Sequence, residues 1–100
     1  MIRADLRPGL QAAQACHALR QFAEDHPLIE RAWYCESNHL ALLAVDDEIA
    51  LVRLLEMAQR HGIRCALFRE PDLCNELTTI ALEPGVASRR LCRGLPLALG

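Results

Sequence analysis

The sequence predicts an α/β fold, a small mixed sheet of about four strands with helices packed on its faces. Segments of strand length alternate with segments whose apolar residues recur at helical spacing. Two of the strand-length segments are joined by one helical segment, as in a β-α-β unit. A chain of 100 residues is expected to form one domain, residues 1–100, around one core.

The N-terminal quarter predicts a short extended segment and a long helix. Residues 2–6 are extended until Pro8-Gly9, and the helix runs from Leu10 to about Glu24, where His26-Pro27 ends it. One helical stripe is expected to face the core, with Ala15 and Phe22 beside it: Ala12, Cys16, Leu19 and Ala23. The opposite stripe is either a solvent-exposed face or the wall of a site: Leu10, Gln14, His17 and Gln21.

The middle of the chain is less uniform. Residues 28–37 are ambiguous, with Trp33 and Tyr34 as expected anchors. Residues 40–45 form a continuous apolar run, which predicts a central strand covered on both faces. Asp46-Asp47-Glu48 predicts a helix start, and Arg60-His61-Gly62 predicts its end. The apolar stripe of that helix consists of Leu51, Leu54, Leu55 and Ala58.

The C-terminal third predicts two strands and a short helix. Residues 64–69 are expected to run parallel to the preceding strand, with residues 65–68 buried. Residues 70–76 form a polar loop, so the strand at 77–82 is expected to be antiparallel to its predecessor. Residues 86–93 predict a short helix, and the apolar residues after it have no clear assignment.

Composition excludes several classes of protein. The chain is 52% apolar and 24% charged, which is unlike a disordered chain. No apolar run approaches the ~18–20 residues of a membrane span, and no signal region precedes the first charges, so a cytoplasmic protein is expected. The net charge of −2 gives no overall basic charge for nucleic acid. All 11 basic residues are arginine, which excludes lysine chemistry.

The cysteines indicate neither a disulfide framework nor a metal site. They are odd in number, contain no C-x-x-C pair, and are expected to be reduced and buried. Cys35 and His39 are close in sequence, but two ligands make a poor zinc site. No metal and no other cofactor is therefore expected.

The loop before the last strand is the second region in which chemistry is expected. Glu70 and Asp72 lie between buried strands, where a carboxylate can act as general base, although a solvated turn explains them equally well. Thr78 and Thr79 point to opposite faces of their strand, so only one can line a given site. Cys74 is a weaker candidate for a nucleophile with a histidine base. The G-x-S-x-G, Walker A and G-x-G-x-x-G motifs do not occur.

Two adjoining motifs carry a resemblance. Arg3-Ala4-Asp5-Leu6-Arg7-Pro8-Gly9, followed by Ala12-Ala13-Gln14-Ala15-Cys16-His17-Ala18, resembles the signature of the type-2 peptidyl-tRNA hydrolase family, typical of archaea and eukaryotes. Residues 37–39, 61–69 and 78–84 resemble later segments of that family in the same order. The resemblance implies a four-stranded mixed sheet between helices. It also implies hydrolysis of the ester that joins a peptide to tRNA.

The resemblance also implies site residues. The acid of the family falls on Glu70, with Asp72 as the near alternative, and its threonine falls on Thr78. Gln14 and His17 are expected to position the substrate or the attacking water. These side chains would cleave peptidyl-tRNA with a positioned water and without a covalent intermediate. The expected tRNA contacts are the flanking arginines Arg3, Arg7 and Arg69.

Two departures from the family pattern leave an alternative open. The family's lysine position falls on Leu10, which can neither bind a phosphate nor activate water, and the loop between the last two strands is shorter. A non-catalytic module that binds RNA or a protein on the same fold would explain both departures, and an enzyme acting on a related bond is a third reading. An apolar tail and an exposed first strand would support a homodimer.

Overall fold

The computed structural model describes residues 1–99, in which four helices surround an open, mixed four-stranded sheet. The predicted α/β class is confirmed. The strands are β1 (Ile2–Arg3), β2 (Ala44–Val45), β3 (Cys65–Glu70) and β4 (Glu76–Leu82). The helices are α1 (Pro8–Asp25), α2 (Pro27–Glu36), α3 (Glu48–Arg60) and α4 (Val86–Leu91), with a 3₁₀ turn at Pro71–Leu73.

The sheet has the strand order β2-β1-β4-β3. β1 and β2 are parallel, and β4 is antiparallel to both β1 and β3, so β2 and β3 run in the same direction as predicted. The C-terminal ends of β1 and β3 therefore lie beside the N-terminal end of β4, at the same end of the sheet. The prediction of an exposed first strand is wrong, because β1 lies between two strands and Ile2 is completely buried.

The apolar run at residues 40–45 does not form the predicted central strand. Only Ala44–Val45 is a strand, at the edge of the sheet, and Leu40 is 67% exposed. The preceding residues pair instead with the C-terminal segment, through a bridge between Leu43 and Leu97 and a hydrogen bond from the amide of Ala98 to the carbonyl of Leu42. The end of the run that was predicted as a central strand thus pairs through its backbone with the C-terminal segment.

Helix α1 packs with a different face from the one its alanine pattern predicts. Its buried residues are Gln11, Gln14, Ala18 and Phe22, whereas Ala12 and Cys16 are exposed. Phe22, which was expected beside the stripe, is buried and offers more apolar area than Ala12 or Cys16, while Leu19 and Ala23 are half-buried. Gln14 follows Phe22 inward because its amide finds partners on the sheet.

Residues 27–36, which were ambiguous in sequence, form the short helix α2. Pro27 occupies the first turn, where its missing N–H costs nothing. Trp33 is half-buried and donates its indole N–H to the carbonyl of His39 at 2.6 Å. Tyr34 is 62% exposed, so its prediction as an anchor is wrong.

Helix α3 and its boundaries agree with the prediction. The Asp47 side chain accepts a hydrogen bond from the amide of Ala50 at 2.9 Å, and Gly62 takes up a left-handed conformation beyond the last turn. Leu51, Leu55 and Ala58 are buried. The core that this helix forms with the sheet includes the buried side chains of Met1, Val45, Leu51, Leu55, Leu77 and Ile80.

Two further burial predictions need correction. Within residues 65–68, only Ala66 is fully buried, because β3 is an edge strand of the sheet. The five cysteines carry free thiols, but Cys16, Cys35 and Cys74 are exposed and only Cys65 and Cys92 are half-buried. Burial raises the pKa of the Cys65 and Cys92 thiols.

Across residues 1–99, no helix has both the length and the apolar composition that crossing a bilayer requires.

Candidate functional site

Helix α1 and strand β4 are joined by a buried pair of polar side chains. The Thr78 hydroxyl donates to Oε1 of Gln14 at 2.6 Å, and the carbonyl of Phe68 lies 3.3 Å from the same hydroxyl. Thr78 is 0% and Gln14 is 1% exposed. Thr78, and not Thr79, is the threonine that faces α1, since the Thr79 hydroxyl bonds the carbonyl of Met1 instead. The pair is shielded from water, so Oε1 of Gln14 depends on the Thr78 hydroxyl for its hydrogen bond.

The Gln14 amide extends this pair to the end of β3. Its Nε2 donates to Oε1 of Glu70 at 2.8 Å, which completes a chain of hydrogen bonds from Thr78 through Gln14 to Glu70. Oε2 of Glu70 faces the amide of Asp72 at 3.3 Å, where Glu70 precedes the 3₁₀ turn. Glu70 is half-buried and Asp72 is exposed. One carboxylate is thus oriented by the protein while part of its surface stays accessible.

The turn after Glu70 brings β3 and β4 together. The amide of Asn75 donates to the carbonyl of Glu70 at 3.0 Å, and Cys74 and Asn75 both adopt left-handed conformations. Cys74 is exposed in this turn, and no hydrogen bond joins it to a histidine in the described part of the chain. A cysteine nucleophile with a histidine base therefore has no support in this arrangement.

His17 presents a flat ring beside the same site. It lies one turn after Gln14 on α1, and its imidazole stacks on Phe68 with ring centroids 4.5 Å apart and an 18° angle between the planes. His17 is exposed, whereas Phe68 is half-buried. This geometry holds a polar, accessible ring next to the Thr78–Gln14–Glu70 chain.

Arg3 closes the edge of the sheet from the other side. It donates two hydrogen bonds to Asp5, at 2.8 and 3.0 Å, one to Glu76 at 2.7 Å and one to the carbonyl of Leu77 at 3.2 Å. The bonds to Asp5 raise the pKa of Arg3, and the same bonds hold the pKa of Asp5 below its usual value. Arg3 is only 7% exposed, so its guanidinium binds the protein's own carboxylates.

Leu77, whose carbonyl accepts a hydrogen bond from Arg3, is also bound by Glu48, a residue that sequence reasoning did not select for the site. The carboxylate of Glu48, at the start of α3, accepts the amide of Leu77 at 2.7 Å. The two backbone groups of Leu77, directly before Thr78, are thus held by Glu48 and Arg3.

Gln11 is a second residue that sequence reasoning missed. It is buried and donates a hydrogen bond to the carbonyl of Leu6, and its Oε1 has no partner within residues 1–99. Its spacing from Gln14 was the available signal.

The other two candidate arginines are exposed. Arg7 precedes α1 without capping it through its side chain, and Arg69 makes one long bond, 3.4 Å, to the carbonyl of Asn75. Leu10 is half-buried in the first turns of α1. Of the predicted set, the structure brings together Gln14, Thr78 and Glu70, with His17 and Asp72 at the margin, and it places Arg3 in a separate ion-paired cluster.

Two clefts lie on the rest of the described surface, away from these side chains. Among the residues that the structure describes, no three histidine, cysteine or acidic side chains are grouped as metal ligands. A cleft of about 420 Å³ lies between α3 and α4, and another of about 440 Å³ lies between α2 and α4. Neither is lined by Gln14, Glu70 or Thr78, so the chain of hydrogen bonds lies outside both clefts.

Two comparisons with known proteins bear on this arrangement. A family model described as Peptidyl-tRNA hydrolase PTH2 matches residues 1–90. This match covers all four strands and the helices α1 to α3, and it ends one residue before the end of α4. A search of curated proteins finds no match to the chain.

Proposed function

Since the chain belongs to the type-2 peptidyl-tRNA hydrolase family, we propose that it hydrolyses the ester between a peptidyl or N-blocked aminoacyl group and the 3′ end of tRNA. The observation that carries this proposal is the chain of hydrogen bonds from Thr78 through Gln14 to Glu70, at 2.6 and 2.8 Å. It connects three elements and ends on a carboxylate that remains accessible to water.

In the proposed reaction, Glu70 is the general base. It takes a proton from a water molecule whose oxygen attacks the ester carbonyl carbon. The bond from that carbon to the tRNA 3′ oxygen then breaks, and the proton held by Glu70 passes to the leaving oxygen. The released acid keeps the oxygen of the water, so no covalent bond to the protein forms.

Burial assigns different roles to Gln14 and Thr78. Both are shielded from water, so we place them as positioning residues that fix the direction of the Glu70 carboxylate. Preorientation of this kind raises the rate because the carboxylate does not have to be reoriented during the reaction. His17 is exposed on the ring of Phe68, and the exposed Asp72 has its amide 3.3 Å from the Glu70 carboxylate, so these two are the side chains proposed to contact the substrate.

The family lysine position is occupied by Leu10, so another cation has to face the phosphate next to the ester. Arg7 and Arg69 are both exposed and flank the site in sequence, and arginine binds phosphate oxygens in a bidentate manner. We propose these two as the local tRNA contacts. Arg3 forms ion pairs with Asp5 and Glu76, so its proposed role is to hold the start of β4 in place.

Replacing Glu70 and Asp72 one at a time tests which acid acts. Glu70→Gln keeps an oxygen for the Gln14 amide but removes the base, and should reduce single-turnover cleavage of N-acetyl-aminoacyl-tRNA by about 10²–10⁴-fold. Asp72→Asn is the matched control, since it removes the same charge two residues away. Equal losses in both variants would contradict the assignment of the base to Glu70.

A non-catalytic RNA-binding module is the second candidate. It is favoured by Leu10 and by the way Thr78 and Gln14 use their hydrogen bonds on each other. Leu10→Lys separates the two functions. A catalyst that has kept its geometry should become faster with a cation next to the ester, whereas a pure binder should show no turnover in either form.

A further inference from the structure

The charges of this chain are divided very unevenly. Residues 57–64 and 84–99 contain five of the 11 arginines and no acidic residue. The rest of the chain contains the other six arginines and all 13 acids. The first segment is the end of α3 with the turn after it, and the second contains α4. A protein with a net charge of −2 thus carries a strongly basic part.

These two segments meet in space. α3 packs against α4, and the cleft of about 420 Å³ between them is lined by Met57, His61, Ala87, Arg90 and Leu91. We name the surface around it the α3–α4 basic face. All its polar members are exposed, and none of its arginines joins an ion pair within residues 1–99. They are Arg60, His61, Arg64, Arg90 and Arg93, whereas Arg89 lines the other cleft, between α2 and α4.

Two acids border this face without neutralising it. Glu83 accepts the amide of Arg64 at 3.1 Å, so its carboxylate is engaged by the backbone. Glu56 lies one turn before Arg60 on α3, within reach of a surface ion pair in the geometry of a helix. Four arginines against two acids leave the face with a positive excess.

We propose that the α3–α4 basic face binds the phosphate backbone of tRNA at a distance from the ester. This inference rests on the proposed function, which supplies the identity of the polyanion. Asp5 follows β1, Glu70 ends β3 with Asp72 after it, and Glu76 begins β4, so four carboxylates lie at the end of the sheet that holds the site, against the two exposed arginines Arg7 and Arg69. A polyanion that enters such a site has to be attracted by another surface, and arginine suits phosphate better than any other side chain.

The length of α3 determines which part of the RNA would be held. Glu48, at its start, contacts the amide of Leu77 beside Thr78, whereas Arg60 ends the helix. The 13 residues of α3 place these ends about 20 Å apart at the usual rise per residue. The basic face therefore contacts phosphates well away from the 3′ end and leaves the terminal nucleotides to the site.

The test replaces one arginine from each helix and compares the effect with a matched pair elsewhere. Arg60→Gln/Arg90→Gln should make tRNA binding less dependent on salt: the magnitude of the negative slope of log affinity against log salt should fall by about 1.4–1.8. Binding at 0.1 M salt should weaken by roughly 30-fold. The control, Arg20→Gln/Arg31→Gln on α1 and α2, changes the net charge equally. Equal slopes in the two double variants would overturn the proposal, and circular dichroism verifies that both are folded.

Kinetics with a long and a short substrate adds a readout that a merely structural effect would not reproduce. Arg60→Gln/Arg90→Gln should raise KM for N-acetyl-aminoacyl-tRNA and leave kcat unchanged. It should not affect cleavage of the same N-acetyl-aminoacyl ester on a 3′-terminal trinucleotide, which is too short to reach the face. Equal losses with both substrates would overturn the proposal.

The outcomes also separate this inference from the proposed function. Binding of tRNA that depends on Arg60 and Arg90, without any cleavage by the unaltered protein, would refute the hydrolase and support the basic face. Cleavage with no dependence on these arginines would do the reverse. Binding to phosphatidylserine vesicles that requires both arginines, with unchanged tRNA affinity, would overturn the inference in favour of a lipid surface.

Discussion

Replacement of Thr78 by valine probes the buried polar pair directly. Valine has nearly the same shape, so it leaves no large cavity, but Oε1 of Gln14 then lacks the one donor that it has among residues 1–99, at a position that is 1% exposed. An unsatisfied buried acceptor costs about 1–3 kcal/mol. For a chain of this length, such a loss lowers the melting temperature by about 5–15 °C.

Replacement of Gln14, the other member of the pair, should lower the stability less than Thr78→Val. Gln14→Leu leaves the Thr78 hydroxyl able to turn fully to the carbonyl of Phe68, now 3.3 Å away, and the half-buried Glu70 able to bind water. The double variant has neither a stranded donor nor a stranded acceptor, so it should melt no lower than Thr78→Val alone. Thermal melting by circular dichroism measures all three. Additive losses would refute the idea that the two side chains depend on each other.

Thr78→Val also tests whether Thr78 and Gln14 position the Glu70 carboxylate for catalysis. Without Thr78, the Gln14 amide is free to turn and Glu70 loses its fixed partner, so single-turnover cleavage should fall by about 10–100-fold. Thr78→Ser keeps the hydroxyl and should restore most of the rate. A Thr78→Val variant that is destabilised but fully active would refute the positioning role.

Three further predictions concern the rest of the molecule. The Arg3 hydrogen bonds lower the pKa of Asp5 in the folded state, so the stability that they add is present above the unfolded pKa of about 4 and is lost as the pH falls through the folded one. Melting curves between pH 5 and 2 should show a smaller decline in Asp5→Asn, and an equal decline would contradict this. Iodoacetamide at pH 8 should modify the three exposed thiols before Cys65 and Cys92, whose pKa burial raises; mass spectrometry of the peptides gives the order, which equal rates would disprove. Leu51→Ala, at a completely buried position, should lower the free energy of unfolding by about 2–5 kcal/mol in a urea titration, and a loss below about 1 kcal/mol would mean that this core is loosely packed.

The parts of the fold that sequence predicts well are those with local causes. α3 is capped by Asp47 and followed by Gly62, both within a few residues of its ends. The turn between β3 and β4 is equally local, and its shortness makes an antiparallel pair the expected result. Such signals need no knowledge of distant contacts.

The parts that sequence mispredicts depend on partners far along the chain. Gln14 is buried because Thr78, 64 residues away, bonds it, so a polar residue replaced the expected alanine stripe. Arg3 was expected to bind tRNA, but its position depends on Glu76, 73 residues away. Gln14 and His17 were nevertheless selected as candidates, both by the helical stripe that they share on α1 and by the family motif.

In the proposed reaction, this chain cleaves an ester of tRNA with a carboxylate held by Gln14 and without the family lysine. The most direct measurement is single-turnover cleavage of labelled N-acetyl-aminoacyl-tRNA by the unaltered protein at low salt, with His17→Ala as the control. We expect release of free tRNA that is strongly reduced in the control. Binding of tRNA without any release would contradict it.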